Sequence, residues 1–186
     1  MLLCFLIFSN IASAQFINYQ GHATIRGIAT APDQTIWANA GNGLLHYDLN
    51  GDLIEIISRT ATESFSTPTS TGTYITVAPN GDIWTASGGP NGSIKRYDGN
   101  SWTTFSMSSI IGSTANTYSA IEAGPDRVIY ALSYGHVSVY QNDEWQSYNL
   151  GVFSNGVFAA DFSPTGVYFV WLNAKGKRSI PQKLIK

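Results

Sequence analysis

Three histidines, His22, His46 and His136, are the side chains in this sequence best suited to hold a metal or move a proton. No second histidine or cysteine stands two or four residues from any of them, and H-E-x-x-H is absent. The spacing that puts two imidazoles on one ion is therefore missing, and packing against a strand is the expected role. "DLNGD", Asp48 to Asp52, opens like a calcium loop. Leu53 stands where that loop needs glycine, and no glutamate follows at the required distance, so the stretch reads as a hairpin turn. "GNGLLH", Gly41 to His46, lacks the third glycine of a phosphate cradle and leads into a strand, not a helix. No G-x-S-x-G elbow occurs. The expectation is no catalytic residue, no metal and no cofactor. What is left is hydrogen-bonding chemistry on loops. Asn39, Asn42, Asn91 and Tyr134 are the candidate contacts, because amides and a phenol both donate and accept, as recognition of a glycan or a protein ligand requires.

Those residues sit in a repeat. "APDQTIW" (31–37), "APNGDIW" (78–84) and "GPDRVIY" (124–130) are spaced by 47 and then 46 residues. An apolar-alternating stretch precedes each: "IRGIAT", "TYITV", "TYSAIEA". A strand led by glycine follows each: "GLLHYD", "GSIKRYD", "GHVSVY". A polar turn and a fourth strand complete it: "DLIEI", "SWTTF", "EWQSY". Pro32, Pro79 and Pro125 preset φ in the first turn, and Asn-Gly and Asp-Gly pairs supply positive φ in the hairpins. Alternation puts Ile36, Ile83 and Ile129 on one face, and Trp37, Trp84 and Tyr130 on the other. A lone sheet cannot bury two apolar faces; stacked sheets can. The expected fold is all-β, with three clear four-stranded meanders as propeller blades. In such a stack the loops from second to third strand, and from fourth strand to the next sheet, share one end. That end carries the four candidate contacts and the Ser/Thr-rich stretches 58–73 and 106–117.

The repeat resembles the propeller blades of two-component regulators, and more distantly those of streptogramin lyases. The resemblance covers about Thr24 to Tyr148. It implies a non-catalytic module that binds or senses a ligand. The alternative it implies is a metal-dependent lyase- or lactonase-like propeller enzyme, for which no histidine–acid cluster is visible here.

The ends read as addresses. Leu2 to Phe8 is apolar and Ala12-Ser13-Ala14 is a small-x-small site, so residues 1–14 are expected to be a signal peptide, too short for a stable membrane span. Cys4 falls inside it, so no disulfide is expected in the exported chain. Net charge is −2, which gives no electrostatic case for nucleic acid. Yet Lys175, Lys177, Arg178, Lys183 and Lys186 are half of the ten basic residues. Residues 15–157 are the expected propeller repeats. Residues 158–186 can be laid on the repeat as a fourth blade, with Phe16 to Tyr19 closing the ring. They also resemble the end of a type IX sorting domain of Bacteroidetes, through Gly166, Tyr168, Phe169, Val170 and the terminal Lys183, Leu184, Ile185 and Lys186. That resemblance implies recognition by secretion machinery and a secreted or cell-surface destination.

Overall fold

The computed structural model describes residues 25–40, 43–58, 73–87, 92–112, 118–124, 127–133, 135–149, 157–162, 168–174, 177–178 and 182–183. The first repeat folds as β1 (Ile25–Thr30), β2 (Ile36–Ala40), β3 (Gly43–Tyr47) and β4 (Leu53–Ser58), an antiparallel sheet in sequence order. The second repeat gives β5 (Thr73–Val77), β6 (Ile83–Ser87), β7 (Ser93–Tyr97) and β8 (Trp102–Ser106). A one-turn helix, α1 (Met107–Ile111), follows. The third repeat gives β9 (Tyr118–Ala123), β10 (Ile129–Ser133), β11 (His136–Gln141) and β12 (Glu144–Asn149).

The turns form as their residues dictate. Asp48 Oδ1 accepts from the amides of Asn50 and Asp52, and Asp98 Oδ1 from those of Asn100 and Ser101. Gly51 and Gly99 take the positive φ these hairpins need. In the third sheet Asn142 and Asp143 both adopt positive φ, the geometry of a tight two-residue hairpin. The turn between first and second strands needs one left-handed residue. Gly81 supplies it in the second sheet, while Gln34 and Arg127 are held there at φ 71° and 67°.

The sheets stack face to face. Ile75, Val77 and Ile83 of the second sheet pack on Trp37 and Leu44 of the first. Ile121, Ile129, Ala131 and Tyr140 of the third pack on Trp84, Ala86 and Ile94 of the second. The first strand of each sheet lies beside the first strand of the next, β1 on β5 and β5 on β9. The Ala123 amide donates to Thr76 Oγ1 (3.2 Å) across the second of these seams. Stacking thus buries both faces of the middle sheet, as the alternation required.

One feature differs from the sequence expectation. Residues 106–117 were expected as loop, but Ser106 caps α1 by accepting from the Ser109 amide (3.1 Å), and Gly112 ends it at φ 70°. Met107 and Ile110 turn inward and plug the seam between the second and third sheets.

A fourth antiparallel sheet forms from β13 (Val157–Phe162), β14 (Tyr168–Ala174), β15 (Lys177–Arg178) and β16 (Gln182–Lys183). Both β15 and β16 pair with the same strand, β14, and the register slips by one residue between them. Both lie where a third strand of the sheet would run, and Pro181, between them in the sequence, has no N–H to give to a ladder. β13 lies beside β9, extending the row of first strands.

Candidate functional site

A cleft of about 340 Å³ opens between the second and third sheets. It lies at the end of the strands where the first turn of each repeat and the hairpin between third and fourth strands come together. From the second sheet it is lined by Ala78, Asn80, Asp82, Trp84 and Arg96; from the third, by Arg127, Tyr140, Gln141, Asn142 and Asp143.

A chain of polar contacts crosses this wall. Arg96 Nε donates to Asp82 Oδ2 at 2.6 Å, and the guanidinium lies 5.7 Å over the centre of the Trp84 ring. That position is set by register, since Trp84 pairs directly with Arg96 across β6 and β7. Tyr140 reaches across from the third sheet, and its hydroxyl donates to Asp143 Oδ1 at 3.1 Å. Burial alone would depress the Arg96 pKa; the Asp82 carboxylate outweighs it and the net shift is upward. Burial raises the Tyr140 phenol, and Asp143 raises it further. Arg96 and Tyr140 therefore keep their protons through the neutral range, as fixed donors. Below them Trp84, Phe105, Tyr140 and Trp145 form an aromatic floor, with Trp84 to Tyr140 centroids 4.9 Å apart.

The matching position in the first sheet is also polar. His46 stacks on Trp37 at 3.9 Å, as expected for a packed histidine. Its Nδ1 lies 3.0 Å from Glu55 Oε1 and its Nε2 lies 2.9 Å from Thr35 Oγ1. This is the order of a Glu-His-Thr relay, but Thr35 Oγ1 already donates to Asp33 Oδ1 at 2.7 Å. The hydroxyl has one proton, and a charged acceptor holds it. The Asp33 carboxyl is correspondingly lowered, chiefly by that bond. His46 is a link between strands here. In the third sheet the same positions are Val128 and Val139, and no polar pair is possible.

Of the four sequence-predicted contacts, Asn39 alone is among the described residues. Asn39 was placed on a loop, but it sits within β2 at 1 % exposure, on the face turned to the second sheet. Asn42, Asn91, Tyr134 and His22 lie outside the described residues, as do Gly166, Leu184, Ile185 and Lys186. Tyr168, Phe169 and Val170 lie in β14, and Lys183 lies in β16 opposite Phe169. The cleft was missed because Asn80, Asp82, Arg127 and Asn142 carry turn signals, and turn signals alone do not show that two sheets bring them together. Among the described residues no three His, Cys, Asp or Glu side chains gather as a metal site. No described helix is long and apolar enough to cross a membrane.

No protein-family model matches the chain, and no curated protein matches it. Solved structures do. A streptogramin B lyase aligns over 82 % of this chain and 49 % of its own, with TM-score 0.61 and 17 % identity. The extracellular domain of a one-component system from B. thetaiotaomicron aligns over 94 % and 24 %, with TM-score 0.57 and 14 % identity. An auxiliary nutrient-binding protein from Bacteroides thetaiotaomicron aligns over 87 % and 42 %, with TM-score 0.55 and 10 % identity. The chain spans about half or less of the length of each. At such identities the likeness is one of fold. The fold is all-β and propeller-like, built from stacked four-stranded meanders, and its neighbours include both an enzyme and extracellular regulator domains.

Proposed function

We propose that the chain is an exported, non-catalytic propeller module that binds a small polar ligand of the glycan kind in the cleft between its second and third sheets. The observation that carries this is the Asp82–Arg96–Tyr140–Asp143 wall. Its charges are paired or balanced, and its donors are fixed. Carboxylate oxygens, amides of Asn80, Gln141 and Asn142, and guanidinium N–H groups offer donors and acceptors together. Neutral hydroxyls, which are both, satisfy such a lining without stranding a charge. No group in the wall is set up as a base beside a nucleophile, so binding is the better reading than turnover. The lyase- or lactonase-like alternative is supported by likeness of fold alone.

Export is part of the same proposal. The apolar Leu2–Phe8 run and the Ala12–Ala14 site support cleavage before Gln15. The tail from residue 158, with Gly166, Tyr168, Phe169 and Val170 and the terminal Lys183 to Lys186, supports a type IX address. Asn42, Asn91 and Tyr134, which fall in the sequence between the second and third strands of their repeats, are proposed for a protein partner.

A thermal-shift screen against neutral mono- and disaccharides tests the binding claim. The expected result is a concentration-dependent rise in Tm for one sugar class. A flat panel, together with hydrolysis or elimination of any offered substrate, would replace the module with an enzyme. N-terminal sequencing of exported protein tests the rest: a start at Gln15 is expected, and a start at Met1 contradicts it.

A further inference from the structure

On the glycan reading of the cleft, we infer that its ligand presents a secondary amide, and that the sugars it takes are the N-acetylated hexosamines. The hydrogen bonds of the wall have fixed directions. Arg96 Nε donates to Asp82 Oδ2, and Tyr140 gives its one hydroxyl proton to Asp143 Oδ1. Asn80 Oδ1 accepts from the Asp82 backbone amide at 3.3 Å, which settles how the Asn80 side chain is turned. Its Nδ2 has no hydrogen-bond partner among the described residues and can only donate. Asp143 receives one side-chain bond, from a neutral phenol, and its carboxylate can only accept. Asn80 is exposed on the second sheet's side of the cleft, and Asp143 on the third's. The donor is particular to this seam: Asp33 and Asp126 stand at the place of Asn80 in the other two repeats.

A donor-only group on one wall and an acceptor-only group on the other select for fixed roles in the ligand. A sugar hydroxyl can donate or accept, so it meets either wall and discriminates little between sugars. A trans secondary amide has fixed roles. Its N–H only donates, its C=O accepts, and the two point in opposite directions. Set between the sheets, the N–H meets the Asp143 carboxylate and the C=O meets Asn80 Nδ2. The amide is neutral, so it satisfies the carboxylate without bringing another charge out of water. A free ammonium would meet Asp143 but offer Asn80 no acceptor, and a ligand carboxylate would meet Asn80 but be repelled by Asp143. An N-acetylhexosamine carries one such amide on its ring, and its hydroxyls remain for Arg127, Gln141 and Asn142.

Isothermal titration of the purified chain tests it, with N-acetylglucosamine and N-acetylgalactosamine against glucose, galactose and glucosamine, and with a doubly capped alanine peptide as a non-sugar amide. At least one N-acetylhexosamine should bind about tenfold or more tighter than its parent hexose, the worth of an added hydrogen bond to a charged group. Asn80→Asp installs the residue of the other two repeats, and Asp143→Asn keeps an oxygen for Tyr140 and a residue at ease at φ 63°. In each variant that preference should fall to about threefold or less, with an unchanged β-sheet circular dichroism spectrum. Equal binding of a hexose and its N-acetyl form, or tighter binding of glucosamine, would overturn the amide and leave the glycan reading standing. A preference undiminished in both folded variants would also overturn it, since the amide would then lie elsewhere. Binding of the capped peptide with no sugar bound, or of none of these probes, would overturn the glycan reading and the amide with it.

Discussion

Asp82 and Arg96 stand on neighbouring strands and meet through a single Nε–Oδ2 bond of 2.6 Å, with side chains only 10 % and 27 % exposed. The bond is charge-assisted and largely out of water, and it aims the rest of the guanidinium at Trp84 and Tyr140. Asp82→Asn keeps the shape and removes the charge. It should lower unfolding free energy by about 1–2 kcal/mol, less than for a fully buried pair because Arg96 reaches solvent. Urea denaturation checks this; an unchanged midpoint would show the pair to be ornamental.

Trp84 lies at 2 % exposure between the second and third sheets, in contact with Phe105, Tyr140 and Trp145. Trp84→Ala should cost about 3–5 kcal/mol. The same measurement decides it. A loss under about 1 kcal/mol would mean that the two sheets do not pack through this ring.

Gln34 is exposed and held at φ 71°, where its equivalent in the second sheet is Gly81. Gln34→Gly relieves the left-handed strain and should raise stability by about 0.5–1 kcal/mol, net of the entropy glycine adds to the unfolded chain. A fall in Tm would contradict the backbone geometry of this turn.

Tyr118 is buried, and its hydroxyl has no hydrogen-bond partner among the described residues. Burial raises its pKa above the ordinary 10.0. The folded state holds the phenol proton after the unfolded state would release it. Stability from this group is whole below about pH 10 and falls as pH rises beyond that. Tyr118→Phe should match wild type within about 1 kcal/mol at neutral pH, with any change toward greater stability, and should flatten the alkaline fall. Equilibrium denaturation at neutral and alkaline pH would show it. A variant that loses stability at neutral pH would mean that the hydroxyl has a partner.

Much of this fold was legible in the sequence. The repeat interval and the Ile/Trp alternation depend on local turn chemistry and period two, and the observed strands follow both. The helix α1 was overlooked although its signals were present: a serine cap, apolar Met107 and Ile110, and a closing Gly112. Serine-rich composition masked them. The site was less legible. Asn39 carried a loop expectation from its place near a hairpin, but β2 extends to Ala40 and buries it. The cleft needs the register that sets Arg96 beside Trp84, and the stacking that brings Tyr140 and Asn142 to the same wall. Neither can be read from spacing along one strand.

The binding claim is tested most directly at Arg127. Among the described residues its guanidinium forms no ion pair, it lines the cleft, and its backbone sits at φ 67°, where glycine is at ease. Arg127→Gly therefore removes a cleft donor without straining the fold. Isothermal titration with the sugar that raises Tm should show at least about tenfold weaker binding for this variant, the worth of one hydrogen bond from a charged donor, at equal or higher Tm. Undiminished affinity in Arg127→Gly, with the ligand's chemical-shift changes mapping to the other end of the strands, would contradict the cleft.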